Sequence, residues 1–308
     1  MIKVTIKVFL GICIALTTIL ISACGKPANV WYVEQGLETA WARILKEGGA
    51  PYTFRQIRTW EGGEIPVGQG ILIARKPWQR GEKVTVYNRL PFTMEYNGAI
   101  VLALDPWMVF RKYTDPGLPV NRVYSGIGGD GVLLIPGKDP GSVKAWTARL
   151  IQGRPGEFPS DENIWREYEN SVFRSNRFPN GAQTYTWSDV LFRLMGNETA
   201  WVYAPLSRIR GYPDFHKSIL EAAPFPEWVV SKYSLQASIL WAVPLGSGEE
   251  TEKLAKTIEW LKKPETQTVI ADNLKWIPAN PYGKPFDPVS FTSHRHWLTA
   301  TFVYEVND

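Results

Sequence analysis

Few side chains capable of chemistry stand in a reactive arrangement in this chain. Its three histidines are His216, His294 and His296. The pair at 294 and 296 could converge on a metal only in an extended segment with further ligands, so two surface histidines are the simpler reading. Gly126-Ile127-Gly128-Gly129-Asp130-Gly131 is rich enough in glycine to cradle a phosphate, but no Lys-Ser or Lys-Thr follows and a predicted strand does, so it reads as a turn. No serine occupies a Gly-x-Ser-x-Gly setting, which removes the nucleophile elbow. Both cysteines, Cys13 and Cys24, lie near the start, so the remaining chain has no disulfide, thiol nucleophile or thiolate metal site. The reading is a protein with no catalytic residues, no metal and no cofactor. Aromatics are abundant instead, 14 Trp and 13 Tyr; at that density they pack a core or line a site where flat apolar faces stack on a ligand, and composition leaves both open.

The cysteines have a use of their own. Lys3 and Lys7 precede an apolar run from Val8 to Ile21, which ends in Ile21-Ser22-Ala23-Cys24-Gly25. A basic start, small residues at the end and an apolar stretch shorter than the roughly 20 residues of a membrane span make a secretory signal. Residues 21–24 resemble a lipobox, where a bacterial signal peptidase cuts before a cysteine already acylated on sulfur. Residues 1–23 are therefore expected to leave as a signal peptide, and Cys24 to carry lipid, palmitate included, that anchors the chain to a membrane outside the cytoplasm. With 34 basic and 30 acidic residues the net charge is +4, falling to about +2 once Lys3 and Lys7 are lost. The short clusters Arg208-Ile209-Arg210 and Lys262-Lys263 read as solvated surface charge, and nucleic acid is not an expected partner.

About 285 residues after Cys24 suit two lobes better than one core. Asn29 to Val33 reads as a strand, and Leu37, Ala40, Trp41, Ile44 and Leu45 fall on one face of a helix that stops at Gly48-Gly49. Tyr52 to Trp60 and Gly70 to Ala74 read as further strands; the nine residues between them are too few for a helical crossover and favour a hairpin or an abbreviated crossover. Strands are also predicted at 84–88 and 99–104. The Pro/Gly-rich stretch from Lys112 to Asn121 is the expected lobe boundary. Beyond it come a strand at 131–135, helices at 142–151, 161–173 and 188–195, strands at 199–203 and 239–243, and helices at 251–262 and from Pro264.

The stretch from Leu254 to Asn280 is the most specific in the chain. Pro264, Glu265 and Gln267, then Trp276, Pro278, Ala279 and Asn280, match in order and spacing a helix ending at a P-E-x-Q step and a chain emerging at P-A-N. This resembles the C-terminal region of the family 1 extracellular solute-binding proteins, the maltose-binding-like group. Leu90 to Gly98 is similar to that family's loop before its hinge strands, and Leu191 to Tyr203 to one of its helix-strand units. The resemblance implies an α/β, two-lobe periplasmic-binding-protein-like (type II) fold with hinge strands. It also implies lobe closure on a small solute, most simply a sugar, and delivery to the permease of an ATP-driven (ABC) importer. The expected organisation is an N-terminal lobe over 24–111, abbreviated because the family's helix between the second and third strands is missing, a C-terminal lobe over 112–280 and a tail over 281–308 packing back across both.

Sugar binders combine stacked aromatic rings with carboxylates, amides and Arg donors in a cleft, and open α/β lobes meet ligands at the C-terminal ends of strands. The expected ligand-binding residues are therefore Trp31, Tyr32 and Glu34 after the first strand, Trp60 after the second, Glu95 and Tyr96 in the loop before the hinge, and Trp201 and Tyr203 in the second lobe. Trp241 and Trp260 read as core. Glu34, Glu61, Glu64 and Glu95 would equally suit a polyamine or other cationic solute, or be plain solvated carboxylates. The contrasting expectation is an interaction or structural lipoprotein that keeps the fold and has lost tight solute binding.

Overall fold

Strand β1 (Asn29–Glu34) alternates, sending Trp31 and Val33 to one face of its sheet and Val30 and Tyr32 to the other. Helix α1 (Glu38–Glu47) follows and buries Trp41 and Ile44, and its end is capped where the Gly48 N–H donates to the Ile44 carbonyl at 2.7 Å. The computed structural model describes residues 29–51, 54–75, 95–96, 98–112, 132–151, 178–196, 200–211, 220–223, 234–246, 249–285, 287–299 and 302–304, with Asn163, Glu167 and Phe173. The Cys24 segment, the predicted strand at 84–88, the Gly126–Gly131 turn, His216 and all of the expected boundary but Lys112 lie outside these residues, as does most of the predicted helix at 161–173.

Strands β2 (Phe54–Trp60) and β3 (Gly70–Ala74) flank β1, both parallel to it. The nine residues between them are thus an abbreviated crossover, not a hairpin. β3 approaches β1 so closely at Gly70 that a Cβ there would meet the Val30 carbonyl oxygen at 2.3 Å and the Tyr32 ring at 3.1 Å, which is why glycine stands there.

β4 (Glu95–Tyr96) pairs with the start of β5 (Ala99–Lys112), the longest strand. β6 (Val132–Leu134), α2 (Pro140–Ile151), a 3-10 turn at 182–184 and α3 (Trp187–Gly196) precede β7 (Ala200–Pro205), α4 (Leu206–Gly211) and β8 (Leu220–Ala223). β9 (Ser234–Leu245), α5 (Glu249–Lys262), α6 (Pro264–Leu274), β10 (Ile277–Pro278), α7 (Pro288–Thr299) and β11 (Phe302–Tyr304) complete the described chain. The main sheet path runs β2-β1-β3-β9-β5-β7-β6.

Two large apolar cores lie along that path. In the first, Trp31 meets Trp41 and Trp260 edge-on at centroid distances of 5.3 and 6.4 Å, with Ile71, Ile73, Leu240, Leu261 and Ile270 around them. In the second, Tyr203 packs against Trp146 at 5.0 Å and Trp107 at 5.4 Å, with Leu133, Val190 and Leu194. Each fully buried large side chain contributes about 1.5–3 kcal/mol of transfer free energy.

Helices α5 and α6 belong to the first core, which corrects the expected second lobe at 112–280: β9 carries the chain back, and the stretch through Trp276 completes the first lobe. The crossing also lies within β5, ahead of Lys112. Motif spacing along the chain carries no information on which core a returning segment joins. The P-E-x-Q and P-A-N residues have a structural use here. Gln267 Nε2 donates to the Val101 and Leu261 carbonyls, its Oε1 accepts the Asn280 N–H at 2.7 Å, and Asn280 Nδ2 donates to the Lys262 carbonyl. α7 packs on β8 and also reaches β10.

Candidate ligand-binding cleft

The strand register sets the two lobes face to face. β3 runs antiparallel to β9 with Ala74 opposite Trp241, and Trp241 stands opposite Val101 of β5. β7 runs antiparallel to β5 with Pro205 opposite Trp107. The C-terminal ends of the parallel strands in the first lobe therefore point at the C-terminal end of β7, separated by the six-residue step from Val101 to Trp107. That is about 20 Å of extended chain. Such a gap between opposed strand ends is where open α/β folds bind ligands.

On the second-lobe wall a cavity of about 400 Å³ opens beside Pro205, lined by Trp187, Ser188 and Leu191 of α3 and by Ser207 and Arg208 of α4. Its size is in the range of small-molecule sites. A capping box places Trp187 at its rim: Thr186 Oγ1 donates to Asp189 Oδ2 at 2.7 Å and the Thr186 N–H to the same oxygen at 2.8 Å. The same hydrogen bonds hold the Asp189 carboxyl below the usual carboxylate range. Trp187 Nε1 donates to Asp139 Oδ2 at 3.2 Å, an oxygen that also accepts from the Ser142 N–H and hydroxyl at the start of α2. Behind this, Gly137 touches the 3-10 turn: a Cβ there would lie 2.4 Å from the Gln183 Cα and 2.5 Å from the Ala182 carbonyl oxygen, so no larger residue fits without moving backbone. The Arg208 guanidinium carbon sits 5.1 Å from the centroid of the Trp187 ring, within cation–π range.

Below the cavity, Asp105 lies in the crossing segment of β5. Its Oδ1 accepts the Ser207 N–H at 2.8 Å and its Oδ2 the Ser207 hydroxyl at 2.5 Å, fastening the start of α4 to the strand. Burial pushes the Asp105 carboxyl up to about 6, against the Ser207 hydrogen bonds and the field of Arg210. Arg210 is buried and joins the lobes: it donates from Nη1 to the Trp276 carbonyl at 3.1 Å and meets Asp272 at 3.2 Å and Asp287 at 3.0 Å through Nη2. This corrects the reading of Arg208-Ile209-Arg210 as surface charge, which holds for Arg208 alone, because a helix turns successive residues to different faces.

The expected site residues scatter. Trp31 is fully buried in the first core and Tyr203 in the second, with no surface for a ligand. Trp201 is buried at the far end of β7, opposite Arg111, whose guanidinium lies 5.6 Å from its ring centroid. These three are corrections: strand pleating turns Trp31 of β1 and Trp201 and Tyr203 of β7 into the two cores, and Trp201 stands at the start of its strand, away from the cleft. Trp60 is 8% exposed at the end of β2, its Nε1 donating to the Glu64 carbonyl at 3.1 Å. Tyr32 is half-buried over Gly70. Glu34 is at the strand end as expected, but its carboxylate is held by Arg75, at 2.6 Å from Nη2, 2.8 Å from Nε and 2.5 Å from the backbone N–H. Glu95 and Tyr96 form β4; their side chains lie outside the described residues. Glu61 and Glu64 are exposed. Trp241 and Trp260 are buried.

The histidine reading is also corrected. His294 is 4% exposed, and burial pushes its imidazole down to about 4; His296 is lowered for the same reason and has Nε2 3.2 Å from the Ala222 carbonyl oxygen. Among the described residues no cluster of three or more His, Cys, Asp or Glu could hold a metal, and no helix is long and apolar enough to cross a membrane.

The sequence reading missed Trp187, Arg208, Ser207 and Asp105. Thr186-x-x-Asp189 did signal a helix start with Trp187 in its first turn; nothing local signalled that Arg208 would meet it.

The fold as a whole is shared with known structures. The bacterial solute receptor AcbH superposes with a TM-score of 0.58 at 12% identity, over 90% of this chain and 87% of its own. The chain has the type II fold of the family 1 extracellular solute-binding proteins. A family 1 extracellular solute-binding protein from Bifidobacterium longum subsp. infantis matches at TM-score 0.54 and 11% identity, covering 91% and 89% of the two chains. A probable secreted solute-binding lipoprotein from Streptomyces coelicolor matches at 0.56 and 11%, covering 92% and 89%. No known family profile and no curated protein sequence matches the chain.

Proposed function

We propose that this chain is a lipid-anchored, extracytoplasmic receptor that closes its two lobes on a sugar or sugar-like solute and hands it to the permease of an ATP-driven importer. The observation that carries this reading is the pair of opposed strand ends across the β5 and β9 crossing, with an open cavity on one wall. The fold supports it, and so does the preference of AcbH, whose structure is described as that of a receptor for β-D-galactopyranose. The lipobox-like residues 21–24 support the anchor.

Closure needs no covalent chemistry. The crossing segments absorb the change, and the ligand bridges two walls whose strand ends are set off by about 20 Å of strand. A polyamine-type cargo is less well supported, because the Glu34 carboxylate is already committed to Arg75. A second reading, an interaction lipoprotein without tight solute binding, draws on the short crossover of the first lobe, where Val67 is 98% exposed beside Ile65.

Thermal unfolding of the detergent-solubilised chain against a panel of sugars and polyamines tests the proposal. A sugar at about 100 times its Kd adds about 2.7 kcal/mol, and small-angle scattering should show a smaller radius on binding. No shift with any sugar, together with an empty protein by native mass spectrometry, would favour the interaction reading. Mass spectrometry of the chain extracted from membranes should find residues 1–23 removed and an acyl group on Cys24; an intact start or an unmodified Cys24 would remove the lipid anchor.

A further inference from the structure

We infer that the cargo carries a negatively charged group, a carboxylate on a sugar ring as in a uronic acid, and that Arg208 reads it. This rests on the sugar-receptor reading above. The charges of the cavity and its surroundings are unequal in what they have to bind. Asp139 is engaged by Trp187 Nε1 and by the start of α2, and Asp189 is closed into its capping box with Thr186. On the opposite wall Glu34 is held by Arg75. Glu61 and Glu64 belong to the first-lobe crossover and line no part of the cavity. Arg208 does line it, is exposed, and forms no ion pair among the described residues.

The position of this guanidinium makes the distinction. It rests on the face of Trp187, the indole of the cavity. A neutral sugar stacking on that face must displace the cation and offers it no charge in exchange. An acidic sugar can leave the cation beside the ring and accept a forked, charge-assisted pair of hydrogen bonds from it, the geometry for which arginine is suited. Ser188 in the first turn of α3, and Ser207, whose hydroxyl donates to Asp105 and keeps its acceptor capacity, face the same space and suit the remaining sugar hydroxyls.

The test is titration calorimetry on the full chain in mild detergent. Its probes are D-glucuronate, D-galacturonate and tri-galacturonate against D-glucose, D-galactose and maltotriose, for the wild type, Arg208→Gln and Arg208→Lys. The expected result is binding of at least one acid at least tenfold tighter than its neutral counterpart, loss of tenfold or more in Arg208→Gln and partial retention in Arg208→Lys. Because Arg208 is exposed, the ligand-free melting temperature should stay unchanged in both variants. A neutral sugar binding as tightly as its acid, or affinity for the acid unchanged in Arg208→Gln, overturns the charge assignment and leaves the sugar receptor standing. No binding of any probe to a protein found empty by native mass spectrometry overturns both.

Discussion

The two walls of the cleft are built from similar parts and differ in what they leave over. On the first-lobe wall the strand-end groups answer one another: Glu34 with Arg75, Trp60 Nε1 with the Glu64 carbonyl, the Gly36 N–H with Glu38. Its tryptophans Trp31, Trp41 and Trp260 are spent on the core. On the second-lobe wall Trp146 and Tyr203 fill the core, while Trp187 stays half-buried at a cavity with Arg208 on its face. Aromatic abundance thus serves stability in one place and leaves a ring at an open cavity, the proposed surface for cargo, in another. The difference follows from the position of each ring: mid-strand rings are turned inward by the pleat, whereas a ring in the first turn of a capped helix stands at the edge.

The sharpest way to break this comparison is to remove a ring from each side. Trp31→Ala should lower unfolding free energy by about 3–5 kcal/mol; a loss under about 1 kcal/mol, measured by denaturant titration, would mean that Trp31 is not core. Next in size is the clasp between the lobes. Arg210→Met leaves Asp272 and Asp287 without their shared cation and should cost about 3 kcal/mol, partly recovered when Asp287→Asn is added; no recovery in the double variant would remove the ion pairing as the cause.

Asp105 gives a smaller effect with a defined sign. Its folded pKa is raised to about 6, so between pH 4 and 6 the folded state keeps a proton that the unfolded state releases. Its contribution to stability therefore declines as pH rises through that window and is flat above it. The stability of Asp105→Asn relative to wild type should rise by about 2–3 kcal/mol from pH 4 to 7. A flat difference would place Asp105 in a wetter setting. His294, lowered to about 4, has the opposite slope in the wild type, which is why the comparison is made between variants. The smallest expected change in stability is Trp187→Ala, under about 1 kcal/mol, paired with loss of cargo affinity. Full affinity retained in that variant would dissolve the contrast between the walls.

The type II fold was legible from one stretch, Leu254 to Asn280, because Gln267 and Asn280 hold backbone from three segments and so tie side-chain identity to the architecture. The site was much less legible. Glu34 and Trp60 do stand at strand ends, yet they are engaged by groups such as Arg75, 41 residues away, that no local pattern announces.

By itself the sequence determined most of the longer elements, the signal-like start and the lack of a local catalytic motif, since periodicity, capping and reactive-group spacing act over a few residues. Only the tertiary structure decided that β9 returns α5 and α6 to the first lobe, that Trp31 and Tyr203 are core, and that Arg208 lies on Trp187. Those outcomes depend on pairing register and on contacts between distant segments, where a shift of one residue exchanges the buried and exposed faces of a strand.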